Sequence, residues 1–205
     1  MVMSGKTDPQ IVTEILTAAG IPKAEIAGLL PRALSEAELT LANSEETIKR
    51  EGRVHLGVRE LVAALAGIGA VRQTLVTGNV AANAMLKVGA FGLGDFIDFE
   101  VGAYGSDDPD RNCLVPICLE RISDLRGEVY ALERVWVIGD TPNDLKCAQA
   151  AGVRCLLVGT GRLGFDSVRD LGADAQVENL ADTDSVLNIL FDGSIPRRQE
   201  QQWTR

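Results

Sequence analysis

The stretch RVWVIGDTPNDLKCAQAAGVRCLLVGTG, residues 134–161, constrains the fold more than any other part of the sequence. Two apolar runs of strand length, at 134–140 and 153–161, flank a helical segment at 142–152. A strand, a helix and a second strand in this order form a unit whose two strands run parallel. Parallel strands are covered by helices on both faces, so they are apolar along nearly their whole length.

The same alternation extends along the chain from residue 58 onward. Helical patterns at 58–69, 80–91 and 112–125 alternate with strand patterns at 72–79 and 96–105. A short helix at 166–173, a last strand at 173–180 and a helix ending near Phe191 follow. This order predicts an α/β fold with a doubly wound parallel sheet.

The first 52 residues show no strand pattern. Asp8 is expected to be the N-cap of one helix, with Pro9 at its first position and Gly20 at its end, and Pro31 is expected to break the helical region that follows. We therefore expect a small helical cap at 1–52, an α/β core at 53–192 and a polar tail at 193–205.

Composition excludes several classes of function. The formal net charge of -9 leaves no basic surplus for a nucleic-acid backbone. Four cysteines and one histidine lack zinc-site spacing, and reduced thiols are typical of a cytoplasmic protein. The apolar run at 61–71 is too short to cross a membrane, and we see no signal peptide.

Ligands of parallel α/β sheets bind at the carboxyl ends of the strands. Asp140 follows an apolar strand directly, and a carboxylate there suits Mg²⁺. Asp144, about one helical turn later, could contact the same ion or its waters. It also fits a capping box with Thr141, so its role stays open between metal ligand and helix cap.

Two further strand ends carry candidate phosphate-binding groups. Thr77, Gly78 and Asn79 could bind phosphate through a hydroxyl and free N–H groups, or could simply cap the next helix. Arg111 could hold phosphate oxygens, or pair with acidic neighbours in its own loop. SGKT at 4–7 lacks the preceding glycine and strand of a P-loop, and GTGRLG at 159–164 lies too late for a dinucleotide loop. His55 is expected at the surface.

LVTGN (75–79) followed by VIGDTPNDLKCAQAAG (137–152) resembles the haloacid dehalogenase (HAD) superfamily, in particular its phosphoglycolate-phosphatase-like hydrolases. The resemblance covers about residues 55–190. It implies that Thr77 is the phosphate-binding hydroxyl, that Asp140 and Asp144 are the metal-binding acids, and that residues 1–52 form the cap. It also implies a Mg²⁺-dependent phosphatase acting on a small phosphorylated metabolite through an aspartyl-phosphate.

Two departures from the family pattern matter. Ser106 stands where the family often has a lysine, and Arg111 is expected to supply that positive charge. The nucleophile motif, Asp-x-Asp-Gly-Thr, is absent from the sequence. In the family, the strand carrying it lies between the strands that end in Thr77 and Asp140. We therefore expect an N-terminally truncated chain that is inactive alone.

Loss of a central strand would also leave two ladders unpaired, at about 1–3 kcal/mol for each orphaned buried group. The chain alone is then expected to fold poorly, to associate with itself or to recruit a strand-donating partner. A non-catalytic relative that binds a phosphorylated ligand or a protein is the alternative function. A phospho-acceptor signalling domain fits less well, because it has neither the helical insert nor the Gly-Asp-x-x-x-Asp spacing.

Overall fold

The computed structural model describes residues 5–161 and 164–196. Three helices come first: α1 at Asp8–Ala18, α2 at Lys23–Ala42 and α3 at Glu45–Glu51. The predicted cap residue of α1 is wrong by one position. Thr7 accepts a hydrogen bond from the Gln10 backbone N–H, and the Gln10 side chain accepts one from the Thr7 N–H. Asp8 is instead the first helical residue.

The predicted break at Pro31 is also wrong, because α2 runs through it without interruption. A proline inside a helix removes one N–H donor and crowds the preceding turn. Pro31 lies on the exposed side of the helix. Water can therefore hydrate the carbonyl that loses its partner, and the helix continues.

The remaining chain alternates helices and strands as predicted. The helices are α4 (Val58–Ala66), α5 (Ala81–Gly89), α6 (Leu114–Arg126), α7 (Pro142–Ala151) and α8 (Thr183–Leu190). The strands are β1 (Val76–Thr77), β2 (Ala103–Tyr104), β3 (Trp136–Gly139), β4 (Arg154–Val158) and β5 (Ala175–Val177). All strand pairs are parallel, which confirms the predicted fold class.

Two segments are less regular than the sequence pattern indicates. The strand predicted at 96–105 is only Ala103–Tyr104, preceded by short 3₁₀ turns at Gly94–Phe96 and Phe99–Val101. The helix predicted at 166–173 is a 3₁₀ turn at Phe165–Ser167. Tertiary contacts override local periodicity in short segments of this kind.

The strands form two separate sheets, β1-β2 and β3-β4-β5. Within the described residues, no strand joins β1 to β3. Both edges line one cavity of about 790 Å³. Resemblance to the family predicts a missing strand at this position in the sheet order.

The core has two main apolar clusters, one on each face of β4. Leu156 and Val158 pack with α4 and α8, while Cys155 and Leu157 pack with α6 and α7. β4 is therefore buried on both faces, as expected for a central parallel strand. No helix in the described ranges is long and apolar enough to cross a membrane.

Candidate functional site

The carboxyl ends of β1 and β3 both contact one short segment, Gly5–Asp8. The Asp8 N–H donates to the Gly78 carbonyl at 2.7 Å, and the Asp8 carboxylate accepts from the Val80 N–H at 2.9 Å. On the β3 side, a Cβ on Gly5 would lie 2.7 Å from Asn143 Nδ2. Gly5 also has a φ of 74°, a left-handed conformation that glycine adopts without strain. The segment therefore links the two sheets at the edge where the candidate residues lie.

Thr77 ends β1, and its hydroxyl oxygen accepts from the Asn79 backbone N–H at 3.2 Å and from Asn79 Nδ2 at 3.0 Å. Asn79 in turn accepts a hydrogen bond from Lys87. This arrangement is a local turn rather than a cap on α5, because α5 begins after Val80, which supplies no side-chain cap. Thr77 remains only partly buried.

Gly78 allows a close approach of two backbones. A side chain on Gly78 would overlap the Lys6 carbonyl and the Thr7 backbone. Thr7 is fully buried, and its hydroxyl donates to the Pro109 carbonyl at 2.8 Å. The backbone at Gly78 therefore lies directly against residues 6–8.

Asp144 is buried, and its two carboxylate oxygens both have partners. Oδ2 accepts from the Thr141 N–H at 2.9 Å, the Thr141 hydroxyl at 2.7 Å and the Asp140 N–H at 3.1 Å. Oδ1 pairs with Arg111. Thr141, the proline at the first helical position and Asp144 form a complete capping box for α7. Asp144 therefore caps α7, which is one of the two roles that the sequence left open for it.

Arg111 lies in the 3₁₀ turn Arg111–Cys113 that leads into α6. Its guanidinium pairs with Asp144, and Nη1 donates to the Gly5 carbonyl at 3.4 Å. Its Nε is buried without a hydrogen-bond acceptor among the described residues. In the described ranges no ion pair joins Arg111 to Asp107, Asp108 or Asp110, the alternative partners in its own loop, and Asp107 pairs instead with Arg121 at 2.8 Å.

Asp140 differs from Asp144 in having an open carboxylate. It is partly buried, and no other residue in the described ranges donates a hydrogen bond to its oxygens, while its own backbone N–H and the charges of His55 and Arg111 favour the ionised form. Burial raises the pKa of this carboxyl, and the nearby charge of Asp144 raises it further. A half-buried carboxylate without donors is stabilised by a cation.

The residues present fit a divalent cation only in part. Mg²⁺ usually binds through one or two carboxylates together with water and substrate phosphate. Asp140 meets that requirement, whereas the oxygens of Asp144 are already used by Arg111 and the α7 cap. No group of three or more possible ligating side chains occurs in the described part of the chain. Asp140 is therefore the residue that would hold the ion.

The sequence analysis missed the role of residues 5–8. The sequence reading took SGKT at 4–7 as a false P-loop match, and the structure places Gly5–Asp8 against both strand ends. The available signal was the spacing Thr7-x-x-Gln10, which fits a capping box at a helix start. Ser106 was noted only as a replacement for lysine, and its hydroxyl accepts from the Ala81 N–H at 3.4 Å.

Comparisons with known proteins agree with this architecture. The family model for haloacid dehalogenase-like hydrolases matches residues 13–149, and a HAD-hydrolase-like model matches residues 116–183. Comparison with curated protein sequences gave no match.

Solved structures share the fold at low sequence identity. CbbY from Rhodobacter sphaeroides, in complex with phosphate, has 20% identity and a TM-score of 0.52, covering 85% of this chain and 87% of its own. A conserved haloacid dehalogenase-like protein of unknown function from Agrobacterium tumefaciens has 19% identity and a TM-score of 0.50, covering 87% and 88%. A structural-genomics target has 18% identity and a TM-score of 0.50 over 67% of this chain, which spans 43% of that protein's length. Because the first family model covers more than half of the sequence, this chain belongs to the haloacid dehalogenase-like hydrolase family.

Proposed function

We propose that this chain carries the phosphate-binding and cation-binding part of a Mg²⁺-dependent phosphatase site for a small phosphorylated metabolite of the phosphoglycolate type. The open carboxylate of Asp140 at the end of β3 is the observation that supports this most. It lies one residue before Thr141, which forms the α7 cap with Asp144, and Asp144 also pairs with Arg111. The presence of phosphate in the CbbY structure, a protein of similar fold, adds support.

Each residue has a distinct part in this proposal. Asp140 holds Mg²⁺, which would neutralise charge on the transferring phosphoryl group. Thr77 donates its hydroxyl proton to a phosphate oxygen, and the Gly78 N–H orients the group. Asn79 holds the Thr77 hydroxyl oxygen in place through its backbone N–H and its side-chain amide. Arg111 shifts from Asp144 to phosphate, a bidentate anion that suits a guanidinium. Asp144 then becomes free to contact the ion or its waters.

The chemical step needs a nucleophile that the 205 residues do not provide in the family's motif. In the proposed reaction, an aspartate carboxylate attacks phosphorus and the substrate oxygen leaves, giving an aspartyl-phosphate that water later hydrolyses. The sequence contains no Asp-x-Asp-Gly-Thr. We therefore propose that the chain as given binds phosphorylated ligands without hydrolysing them.

A binding assay with inorganic phosphate and with phosphoglycolate, at several Mg²⁺ concentrations, tests the proposal. We expect Mg²⁺ to tighten binding of both ligands and Asp140→Asn to remove that effect. Asp124→Asn, at an exposed position on α6, is the matched control and should leave binding unchanged. Arg111→Ala should weaken binding at every Mg²⁺ concentration. Turnover of phosphoglycolate by the chain alone would contradict the proposed dependence on an added nucleophile.

A non-catalytic binding role is the second candidate, and the Arg111–Asp144 pair favours it. A metal site occupied by an arginine and a helix cap suits a protein that binds anions without a cation. In the same assay, this role predicts phosphate binding that is independent of Mg²⁺ and insensitive to Asp140→Asn. The two functions therefore give opposite results in one experiment.

A further inference from the structure

The Thr77 hydroxyl is held in one hydrogen-bonding direction by its neighbour Asn79. Its oxygen accepts from the Asn79 backbone N–H at 3.2 Å and from Asn79 Nδ2 at 3.0 Å. A hydroxyl oxygen has two lone pairs and one proton. Because both lone pairs are used, the proton points away from Asn79. No residue in the described ranges accepts that proton, so it is available to a ligand at the end of β1.

The backbone of Asn79 is held at both of its polar groups. Its N–H donates to Thr77, and its carbonyl accepts from the Gly105 N–H at 2.9 Å, just beyond the end of β2. A side chain on Gly105 would overlap the Gly78 carbonyl, so the two loops lie in direct contact. The side-chain amide is therefore the part of Asn79 whose orientation is still to be set.

The two ends of the Asn79 amide have nearly the same shape but opposite hydrogen-bonding character. Nδ2 is a donor, and Oδ1 is an acceptor. With Nδ2 toward Thr77, the hydroxyl oxygen accepts and its proton stays free. With Oδ1 toward Thr77, the hydroxyl would donate to Asn79, and its proton would no longer be available to a ligand. The orientation of this amide therefore decides whether Thr77 can donate to an anion.

Lys87 selects one of the two orientations. It lies in the last turn of α5, and its ammonium donates to Asn79 Oδ1. An ammonium has donors only, so the opposite orientation would place the Nδ2 donors against a cation. The bond to Lys87 therefore keeps Oδ1 away from Thr77 and Nδ2 toward it. The three residues form a hydrogen-bond relay that runs from the ammonium to the amide and from the amide to the hydroxyl.

The charge of Lys87 has no competing partner in the part of the chain that the structure describes. No carboxylate pairs with it there, whereas Lys6 pairs with Glu14 at 2.6 Å. Side chains of a helix lean toward its N-terminus, and Asn79 lies just before the N-terminus of α5. A cation in the last turn also stabilises a helix through its dipole, but that effect needs no bond to Asn79. The observed contact therefore indicates a role beyond helix stability.

We propose that Lys87 is a positioning residue of the phosphate-binding site. Through Asn79, it holds the Thr77 hydroxyl as a hydrogen-bond donor, without contacting phosphate itself. Ionised phosphate oxygens are acceptors, so a donor that is already oriented suits this ligand. The inference rests on the proposed function, because it assigns the free proton of Thr77 to a phosphate oxygen.

Calorimetric titration of the whole chain with inorganic phosphate, at constant Mg²⁺ concentration, tests this role. Lys87→Met keeps the length of the side chain and removes its charge and donors. It should weaken phosphate binding about 5-fold, as expected for one impaired hydrogen bond. Lys146→Met, at an exposed position on α7, removes the same charge and should weaken binding less than about 2-fold, because salt screens exposed charges. Equal losses would assign the effect to charge in general and overturn the proposal.

A second background separates positioning from direct contact. Thr77→Val removes the hydroxyl that Lys87 orients and keeps the shape of the side chain. In that background, Lys87→Met should leave phosphate affinity unchanged, because both substitutions break the same relay. The same loss with and without the Thr77 hydroxyl would mean that Lys87 acts on the anion directly or through folding. That result would overturn the positioning role.

The side-chain amide of Asn79 reports on the relay without any ligand. In NMR spectra of the free chain, Lys87→Met and Thr77→Val should each shift the Nδ2 resonances of Asn79, and Lys146→Met should not. Unchanged resonances in Lys87→Met would overturn the relay even if phosphate binding weakens. Failure of the unsubstituted chain to bind phosphate would instead contradict the proposed function, and the Asn79 resonances would then decide whether Lys87 orients the amide.

Discussion

β3 and β4 are neighbouring strands of one sheet, and both are apolar, yet their surroundings differ. β4 pairs on both edges, and Leu156 and Leu157 are completely buried. β3 pairs on one edge only, and Ile138 at its centre is 40% exposed. The difference arises because a parallel strand is buried by the strands beside it as well as by the helices above and below. An apolar sequence alone therefore does not define a central strand.

Proline substitutions should give the largest difference between β4 and β3 in the loss of unfolding free energy. Leu156→Pro removes a backbone N–H that bonds to β3, which should lower the free energy of unfolding by about 1–3 kcal/mol. It also removes most of a buried side chain, which should lower it by about 2–5 kcal/mol more. Total stability is typically ~5–15 kcal/mol, so we expect no cooperative unfolding transition for this variant. Ile138→Pro should lower the free energy of unfolding by only about 1–2 kcal/mol, because the N–H that it removes points into the cavity between β1 and β3. Urea unfolding followed by circular dichroism measures both, and equal losses would contradict the open edge of β3.

Substitutions that leave a cavity should give a smaller difference in unfolding free energy between β4 and β3. Leu157→Ala removes a buried side chain that packs with α6 and α7, and should cost about 2–5 kcal/mol. Ile138→Ala should cost about 1 kcal/mol, because much of that side chain already contacts water. Urea unfolding of the two variants checks the ratio. A larger loss at Ile138 would mean that β3 is buried in solution, for example by self-association.

Thiol chemistry tests the burial of β4 without changing stability. Burial raises the pKa of the Cys155 thiol to about 12, while Cys113, before α6, is partly exposed. A thiol with that pKa is about one part in ten thousand thiolate at pH 8, and thiolate is the reactive form. We expect alkylation of Cys113 well before Cys155, as measured by peptide mass spectrometry. Similar rates would show that β4 opens readily.

The smallest expected effect is a difference in hydrogen exchange between neighbouring amides of β3. In the chain alone, Val137 should exchange at least ~10-fold more slowly than Trp136 and Ile138, because only its N–H is bonded to β4. Along β4, all amides should be protected. Exchange measured residue by residue by NMR would show the pattern. Uniform protection of β3 would mean that its second edge is covered.

Much of the fold was predictable because its signals are local. The apolar runs of β3 and β4 and the Thr141–Asp144 capping box lie within a few residues of each other, so the sequence alone predicts this unit. Resemblance to the family predicts that the central strand is missing from this sequence, and the described residues form two sheets, β1-β2 and β3-β4-β5. Poor folding of the chain alone stays a prediction.

The failures come from contacts between distant residues. The segment at 96–105 has strand-like apolar residues, but Asp98 is bonded by Arg72 at 2.6 Å and by Arg126 at 2.9 Å. These ion pairs join residues 26 and 28 positions apart and hold the segment in short turns. The Arg111–Asp144 pair likewise joins positions 33 apart. No local pattern indicates such partners, so the use of Asp144 by Arg111 could not be predicted.

The attachment of Thr7 and Asp8 has a mechanical consequence for the helical segment. Hydrogen bonds between these two residues and Pro109, Gly78 and Val80 fix the start of α1 to the α/β core. α2 and α3 add a second attachment, because both pack against α5 of the core. The helical segment is therefore held at two places, so displacing it as a rigid body would break the hydrogen bonds at the strand ends as well as the contacts with α5.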